Sequence, residues 1–126
     1  MGSPIRVLVV DEDEDILELT ETFLERENER ITAQTERSAE AALERVQTEQ
    51  IDCVVSDYRM PEMDGLELYE AISGLDSSLP FFLVTAAADE ETMAAADERG
   101  VDLIQKGSGT DHYTALAQQI EAAVSD

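Results

Sequence analysis

The sequence predicts an α/β fold in which helices cover both faces of a parallel sheet. Short apolar runs of four or five residues alternate with longer segments whose apolar residues recur at helical spacing. This alternation is typical of parallel strands that are joined by right-handed helical crossovers. With 126 residues, the chain is long enough for one compact core and short for two ordinary domains. We therefore expect five strands and five helices in a single domain.

The first third of the chain is predicted to form two strands with a helix between them. Residues 7–10 (VLVV) are the first strand, and residues 30–34 are a second strand with thinner apolar content. Between them, apolar side chains recur every three or four residues and glutamates fill the opposite face, which predicts an amphipathic helix. The residues expected to face the core are Ile16, Leu17, Leu19, Thr20, Phe23 and Leu24.

The middle of the chain is predicted to add two helices and the third strand. Ser38 is a suitable N-cap for a helix that ends near Gln50, and residues 52–56 form the third strand. The loop that follows, DYRMPEMDG, is rich in turn formers. The apolar face of the next, shorter helix consists of Leu66, Tyr69 and Ile72. We expect Gly74 to close this helix.

The last third is predicted to contain two strands and two helices. Pro80 precedes the fourth strand, Asp89 can cap the fourth helix, and Gly100 lies where the last turn of that helix should stop. Residues 101–104 form the fifth strand. The final helix is expected over residues 110–124. Its core-facing residues are predicted to be Leu116, Ile120, Ala123 and Val124.

Polar side chains with complementary chemistry stand at the ends of four predicted strands. Asp11 and Glu12 follow the first strand, Asp57 follows the third, Thr85 ends the fourth, and Lys106 follows the fifth. Open parallel sheets bind their ligands beyond the carboxyl ends of the strands. We therefore expect carboxylates, a hydroxyl and an ammonium group to face one crevice.

These groups predict a phosphoryl-transfer site. A carboxylate at Asp57 can act as a nucleophile and form an aspartyl phosphate, provided that the phosphoryl charge is neutralised. The carboxylates of residues 11–13 repel one another unless a cation joins them, and Mg²⁺ prefers oxygen ligands of this kind. Lys106 can pair with the phosphoryl charge, and the Thr85 hydroxyl can hydrogen-bond to one of its oxygens.

Each residue also has an ordinary structural interpretation. Residues 11–15 can form an acidic N-cap and first helical turn, Asp57 a turn, and Thr85 a strand end. Lys106 can be a solvated surface charge. Their joint placement favours the functional interpretation, because the only lysine of the chain stands at one of these strand ends. His112, the only histidine, belongs to no evident cluster.

The charge balance excludes several classes of partner. Thirty acidic residues against eight basic ones give a net charge of −22, which makes binding to nucleic acid or anionic lipid unfavourable. No apolar stretch approaches the roughly 18 residues that a membrane span needs, and the first residues do not form a signal peptide. We expect a soluble, cytoplasmic protein. Because molar salt shortens the screening length to about 3 Å, the charge also favours an origin in a salt-loaded cytoplasm.

The segments VLVVDED, DCVVSDYRMPEMDGLEL, FFLVTAA and GVDLIQKG resemble the receiver domains of two-component response regulators. The resemblance covers about residues 5–124 and implies a single receiver domain with a flavodoxin-like fold, strand order 2-1-3-4-5, and no output domain within residues 1–126. The segment DLIQKGSGTDHYTALAQQIEAAV resembles receiver domains of halophilic archaea, some of which precede sensor histidine kinase modules.

The resemblance also implies roles for the site residues. Asp57 would accept a phosphoryl group from the phosphohistidine of a sensor histidine kinase or of its phosphohistidine domain. Thr85 and Lys106 would contact that group. The implied ligands of Mg²⁺, or of Mn²⁺, are Asp11, Glu12, Asp57 and the backbone carbonyl of Arg59. Phosphorylation would shift a conformational equilibrium that an unidentified downstream protein or domain detects, so the domain is expected to be a phosphoacceptor and not a turnover enzyme.

Three positions depart from the family pattern. Glu12 replaces a more common aspartate, Leu103 replaces the usual switching aromatic residue, and Gly107 replaces a common proline.

Two other functions fit parts of the sequence. A receiver-like interaction module that takes no phosphate is one alternative, which Leu103 favours. The other resembles the haloacid dehalogenase phosphatases and would use Asp11 as the nucleophile and Asp13 as the general acid. The chain is short for that fold.

Overall fold

A computed structural model describes residues 3–76, 78–86, 89–106 and 111–124. Within these residues the strands are β1 (Ile5–Val10), β2 (Ile31–Glu36), β3 (Cys53–Asp57), β4 (Phe81–Thr85) and β5 (Asp102–Gln105). The helices are α1 (Glu14–Glu27), α2 (Ala39–Thr48), α3 (Gly65–Leu75), α4 (Glu90–Arg99) and α5 (Asp111–Val124). All strand pairs are parallel, in the order β2-β1-β3-β4-β5. The predicted fold class is confirmed.

Two apolar layers lie on opposite faces of the sheet. Because successive side chains of a strand point to opposite faces, Val7 and Val9 of β1 join one layer, and Leu8 and Val10 join the other. The first layer packs beneath α1 and α5, and the second beneath α2, α3 and α4. The central strands are therefore apolar on both faces, as parallel sheets require.

Side-chain caps fix where the helices begin. The Asp13 carboxylate accepts hydrogen bonds from two backbone N–H groups of the first turn of α1. Ser38 and Asp89 cap α2 and α4 as predicted, and Asp64 forms a capping box with Glu67 at the start of α3. The last turn of α4 ends at Gly100, whose φ of 72° is a left-handed conformation that glycine adopts without strain.

Three details of the predicted helices are wrong. Gly74 does not close α3, which continues to Leu75 and ends at the C-cap Asp76. Leu19 is 46% exposed, because it lies about 200° around the helix from Leu17 and therefore off the buried face of α1. Ala123 is also exposed. Thr110, the expected start of the last helix, lies outside the described residues.

The strand boundaries shift by one or two residues at several ends. For example, β2 continues to Glu36, and β5 begins at Asp102 where residue 101 was expected. Across the part of the chain that the structure describes, no helix is both long and apolar enough to pass through a lipid bilayer.

Candidate functional site

The sheet register places two of the predicted carboxylates side by side. Val10 of β1 pairs with Ser56 of β3, so Asp11 and Asp57 follow matched positions on neighbouring strands. Asp11 is buried, with 5% of its surface exposed, and the Asp57 side chain is 17% exposed. The carboxyl edge of the sheet therefore presents two carboxylates that are largely withdrawn from water.

Lys106 lies between these two carboxylates. Its Nζ is 3.5 Å from Oδ1 of Asp57 and 3.7 Å from Oδ2 of Asp11. Its backbone N–H donates to the carbonyl oxygen of Thr85 at 2.8 Å, which ties the end of β5 to the end of β4. A charge-assisted hydrogen bond to a carboxylate is usually about 2.7–2.9 Å long. The ammonium group is therefore shared between the two acids and bound closely to neither.

Burial is the main influence on the acidity of both carboxyl groups. It raises the pKa of Asp57, and the nearby Lys106 charge opposes this rise only in part. Burial likewise raises the pKa of Asp11; the hydrogen bond from the Asp13 backbone N–H opposes that rise, and the charge of Asp57 adds to it. Ionisation of either carboxyl group therefore destabilises the folded protein. A bound cation would offset this cost.

The remaining acids of the first loop have different surroundings. Glu12 is exposed, yet its charge is close enough to raise the pKa of Asp57 slightly. Asp13 Oδ1 accepts from the backbone N–H of Asp15 at 2.9 Å and of Ile16 at 3.4 Å, so its carboxylate caps α1. This engagement disfavours the general-acid role that a phosphatase would give to Asp13.

The donor groups at this edge fit a hard divalent cation. Within the described ranges, no three acidic, histidine or cysteine side chains converge closely enough to enclose a metal by themselves. Mg²⁺ typically binds one or two carboxylates and completes its octahedron with water and phosphate oxygens, so a pair of adjacent carboxylates is a suitable donor set. Asp11 and Asp57 provide this pair.

Two other predicted residues lie close to the same edge. Thr85, at the end of β4, is 3% exposed and pairs in register with Gln105, the residue before Lys106. Arg59 is exposed in the loop after β3. The roles of the Thr85 hydroxyl and the Arg59 carbonyl remain predictions.

The sequence interpretation missed the role of Gly65, which appeared only as one of several turn formers. Gly65 is the first residue of α3, and its N–H donates to the Tyr58 carbonyl at 2.8 Å. A Cβ atom at this position would lie 2.6 Å from the backbone oxygen of Asp57 and 2.4 Å from Cδ1 of Leu83. Only glycine allows α3 to begin this close to the end of β3.

His112 is the second residue that the sequence left without a role. It lies in the first turn of α5 and lines a small cavity beneath the two carboxylates. No signal in the sequence indicated this proximity, because it depends on how α5 packs against the sheet.

A family model for the response regulator receiver domain matches residues 7–118. Similar curated proteins come from plants and bacteria. A two-component response regulator of Arabidopsis thaliana is 36% identical over 98 residues, which are 76% of this chain and 17% of that protein. The C4-dicarboxylate transport transcriptional regulatory protein of Rhizobium meliloti is 33% identical over 122 residues, 96% of this chain and 26% of that protein. The chain thus spans about a quarter or less of the length of these relatives.

Solved structures have the same architecture. A receiver domain protein (CheY-like) of Methanospirillum hungatei is 26% identical with a TM-score of 0.82, covering 96% of this chain and 97% of that one. A chemotaxis protein of Vibrio cholerae has a TM-score of 0.83 at 21% identity, covering 94% of this chain and 99% of that one, which shows the shared fold. With a family match over most of its length, the chain belongs to the response regulator receiver domain family.

Proposed function

We propose that Asp57 accepts a phosphoryl group from the phosphohistidine of a sensor histidine kinase or of its phosphohistidine domain. In this step the phosphorus–nitrogen bond of the donor breaks, a bond forms between phosphorus and an Asp57 carboxylate oxygen, and the donor imidazole leaves. The observation that carries the proposal is the position of Lys106, whose ammonium group lies between the buried Asp11 and the half-buried Asp57. The ammonium group of Lys106 beside the recessed Asp57 carboxylate is suited to stabilise a phosphoryl group, which carries more negative charge than the carboxylate.

The other site residues support the same step. Lys106 attracts the phosphoryl oxygens, and the Thr85 hydroxyl donates a hydrogen bond to one of them. Asp11, Asp57 and the Arg59 carbonyl would hold Mg²⁺ or Mn²⁺, and Glu12, whose side chain is exposed, would contact the ion through water. The ion supplies positive charge that offsets both the carboxylate repulsion and the phosphoryl charge. The adduct adds roughly one to two negative charges at the sheet edge and shifts a conformational equilibrium that a downstream protein or domain reads.

Mapping of the adduct tests this proposal directly. The protein is incubated with Mg²⁺ and acetyl phosphate, with a chelator in a parallel sample, and the modified residue is identified by mass spectrometry. We expect one phosphoryl group on Asp57 in the magnesium sample only. Modification of Asp11 with sustained phosphate release would support the phosphatase alternative. Absence of any adduct would favour a receiver-like interaction module.

Replacement of Lys106 by methionine is expected to destabilise the fold and to slow phosphorylation of Asp57. The two carboxylates would lose their shared cation, which we expect to lower the free energy of unfolding by about 1 kcal/mol in chelator. Chemical denaturation and the rate of adduct formation measure the two effects.

Two controls separate this effect from general loss of charge. Lys106→Arg keeps the cation and should retain most of the stability. Arg99→Met breaks the exposed pair with Glu70 and should leave stability close to that of the wild type, because solvent screens exposed ion pairs. A Lys106→Met variant as stable as Arg99→Met would contradict the shared-cation interpretation.

We further propose that the domain works in the salt-rich cytoplasm of a halophilic archaeon, and that residues 1–126 contain a single receiver domain without an output domain. The family match over residues 7–118 supports the single receiver domain. The net charge of −22 supports the salt-rich cytoplasm, and it also argues against direct contact with nucleic acid or membranes. From the resemblance of the last segment, we also propose that the domain precedes a sensor histidine kinase module.

Salt is therefore expected to stabilise the protein strongly. In dilute buffer the acidic surface repels itself, whereas molar potassium chloride shortens the screening length to about 3 Å. Thermal unfolding followed by circular dichroism should be broader and begin at a lower temperature in dilute buffer. Equal cooperativity and midpoint in both solutions would exclude the adaptation to salt.

A further inference from the structure

A column of rings joins the first turn of α5 to α1. The ring centroids of His112 and Tyr113 are 4.0 Å apart. The Tyr113 ring stacks on Phe23 of α1 with centroids 5.1 Å apart and planes only 6° from parallel. The guanidinium carbon of Arg26 lies 6.0 Å from the centroid of Phe23. These four side chains form a continuous ring stack across the interface between α5 and α1.

The inner end of the ring stack shares a cavity with the reactive groups. The cavity holds about 20 Å³ of space for water, enough for one molecule. The polar side chains that line it are Asp11, Asp57, Lys106, Thr20, His112 and Tyr113. The hydroxyl groups of Thr20 and Tyr113 lie 3.5 Å apart at this buried position. A displacement of Lys106 or Asp57 therefore changes the space that His112 and Tyr113 border.

Phosphorylation would act on Lys106, whose ammonium group the two carboxylates share. The Nζ of Lys106 lies 3.5 Å from Asp57 and 3.7 Å from Asp11, both longer than a typical charge-assisted hydrogen bond, so new phosphoryl oxygens can draw it away from Asp11. Close-packed interiors respond to small displacements as connected bodies, and the cavity provides the room for such a displacement. Rings in contact can pass this movement on, through the tilted pair of His112 and Tyr113 and then the parallel pair of Tyr113 and Phe23, because each side chain has few rotatable bonds.

Strand β5, which leads to Lys106, offers no aromatic alternative. Leu103 is the half-buried apolar residue of β5, and it packs in the other layer, beneath α2, α3 and α4. Its aliphatic side chain has neither a ring nor a polar tip that can change partners. Among the residues that the structure describes, the rings bordering the cavity belong to α5.

We propose that the ring stack transmits the phosphorylation state of Asp57 from the cavity to the outer surface of α1 around Arg26. This inference rests on the proposed function, because it needs the adduct on Asp57. It assigns the output of the switch to the α1 and α5 side of the sheet, with Tyr113 as the central element of the coupling.

Amide chemical shifts along α1 test the coupling. Uniformly ¹⁵N-labelled protein is treated with Mg²⁺ and excess phosphoramidate in molar potassium chloride, and mass spectrometry of the same sample verifies the Asp57 adduct. In the wild type we expect the amides of residues 23–27 to shift together with those of residues 54–57. In Tyr113→Leu the shifts of residues 23–27 should shrink by about threefold or more, and those of residues 54–57 should persist.

Three further variants test whether the ring stack itself carries the chemical-shift changes to α1. Tyr113→Phe keeps the ring and should keep the α1 shifts. Glu121→Ala removes a separate contact between the helices, the hydrogen bond that the Asn28 side chain donates to Glu121, and should keep them too. Phe23→Leu breaks the ring stack at a half-buried position and should reproduce the loss if Tyr113→Leu does not fold.

The outcomes separate the two proposals. Failure to form the adduct would overturn the proposed function and this inference with it. An adduct on Asp57 without shifts in residues 23–27 would overturn only the inference. Wild-type shifts in both Tyr113→Leu and Phe23→Leu would also overturn it, since the signal would then reach α1 without the ring stack.

Discussion

Substitution of Asp57 by asparagine is expected to abolish phosphorylation and, in the presence of a chelator, to stabilise the fold. The amide lacks the nucleophilic carboxylate, so incorporation of phosphate should fall below about one hundredth of the wild-type level. The stabilisation follows from the raised pKa of Asp57: burial makes its charge unfavourable in the folded state, and that charge also contributes to the raised pKa of Asp11.

The pH dependence of this stabilisation identifies its cause. A carboxyl group whose pKa is raised on folding binds its proton more tightly in the folded state, so its ionisation reduces stability as the pH rises through that pKa. The advantage of Asp57→Asn should therefore grow as the pH rises through the raised pKa of Asp57 and reach its full size above that pKa. It should shrink as the pH falls toward the ordinary aspartate value, because the wild-type carboxyl group is then also neutral.

Denaturation in molar potassium chloride with chelator measures this difference, with Asp102→Asn as the matched control. Asp102 is an exposed acid on β5, so its replacement makes the same change in net charge outside the site. It should alter stability by less than about 0.5 kcal/mol. If Asp57→Asn were less stable than the wild type at neutral pH, the pairing with Lys106 would outweigh the cost of burial and the electrostatic interpretation would be wrong.

Substitution of Gly65 by alanine is expected to destabilise the domain by about 2 kcal/mol and to slow phosphorylation. The added methyl group would lie 2.6 Å from the Asp57 carbonyl oxygen and 2.4 Å from Leu83 Cδ1. Neither neighbour yields easily, since the first is strand backbone and the second belongs to a fully buried side chain. Relief requires the start of α3 or the end of β3 to move, and the latter displaces the phosphoacceptor.

Gly74→Ala is expected to have the opposite effect on stability, although it lies in the same helix. Gly74 is exposed in α3, and a Cβ atom there meets nothing within 4 Å. Alanine has the higher helix propensity, so this variant should be more stable by about 1 kcal/mol at most. Urea denaturation of both variants, with adduct formation as the second measurement, tests the pair. Equal free energies of unfolding for Gly65→Ala and Gly74→Ala would contradict this prediction, because the start of α3 would then accommodate the methyl group without loss of stability.

Much of this fold could be predicted because local chemistry and tertiary structure agree. The central strands are apolar on both faces, so their sequences are recognisable as short apolar runs. Side chains such as Ser38 and Asp89 satisfy backbone groups only a few residues away, so the sequence alone identifies them as helix caps. The errors arose where burial depends on partners distant in sequence. Leu19 has the periodicity of a core residue but lies off the face that α1 buries.

Composition, spacing and short-range hydrogen bonds are enough to predict the order of elements, the strand ends that carry chemistry, and the acidic character of the protein. The positions of those strand ends relative to one another depend on tertiary packing. It set the register that makes Asp11 and Asp57 neighbours, and it placed Lys106 between them. It also excluded a side chain at Gly65 and brought His112 to the cavity, because such proximities arise from packing between segments that lie far apart along the chain.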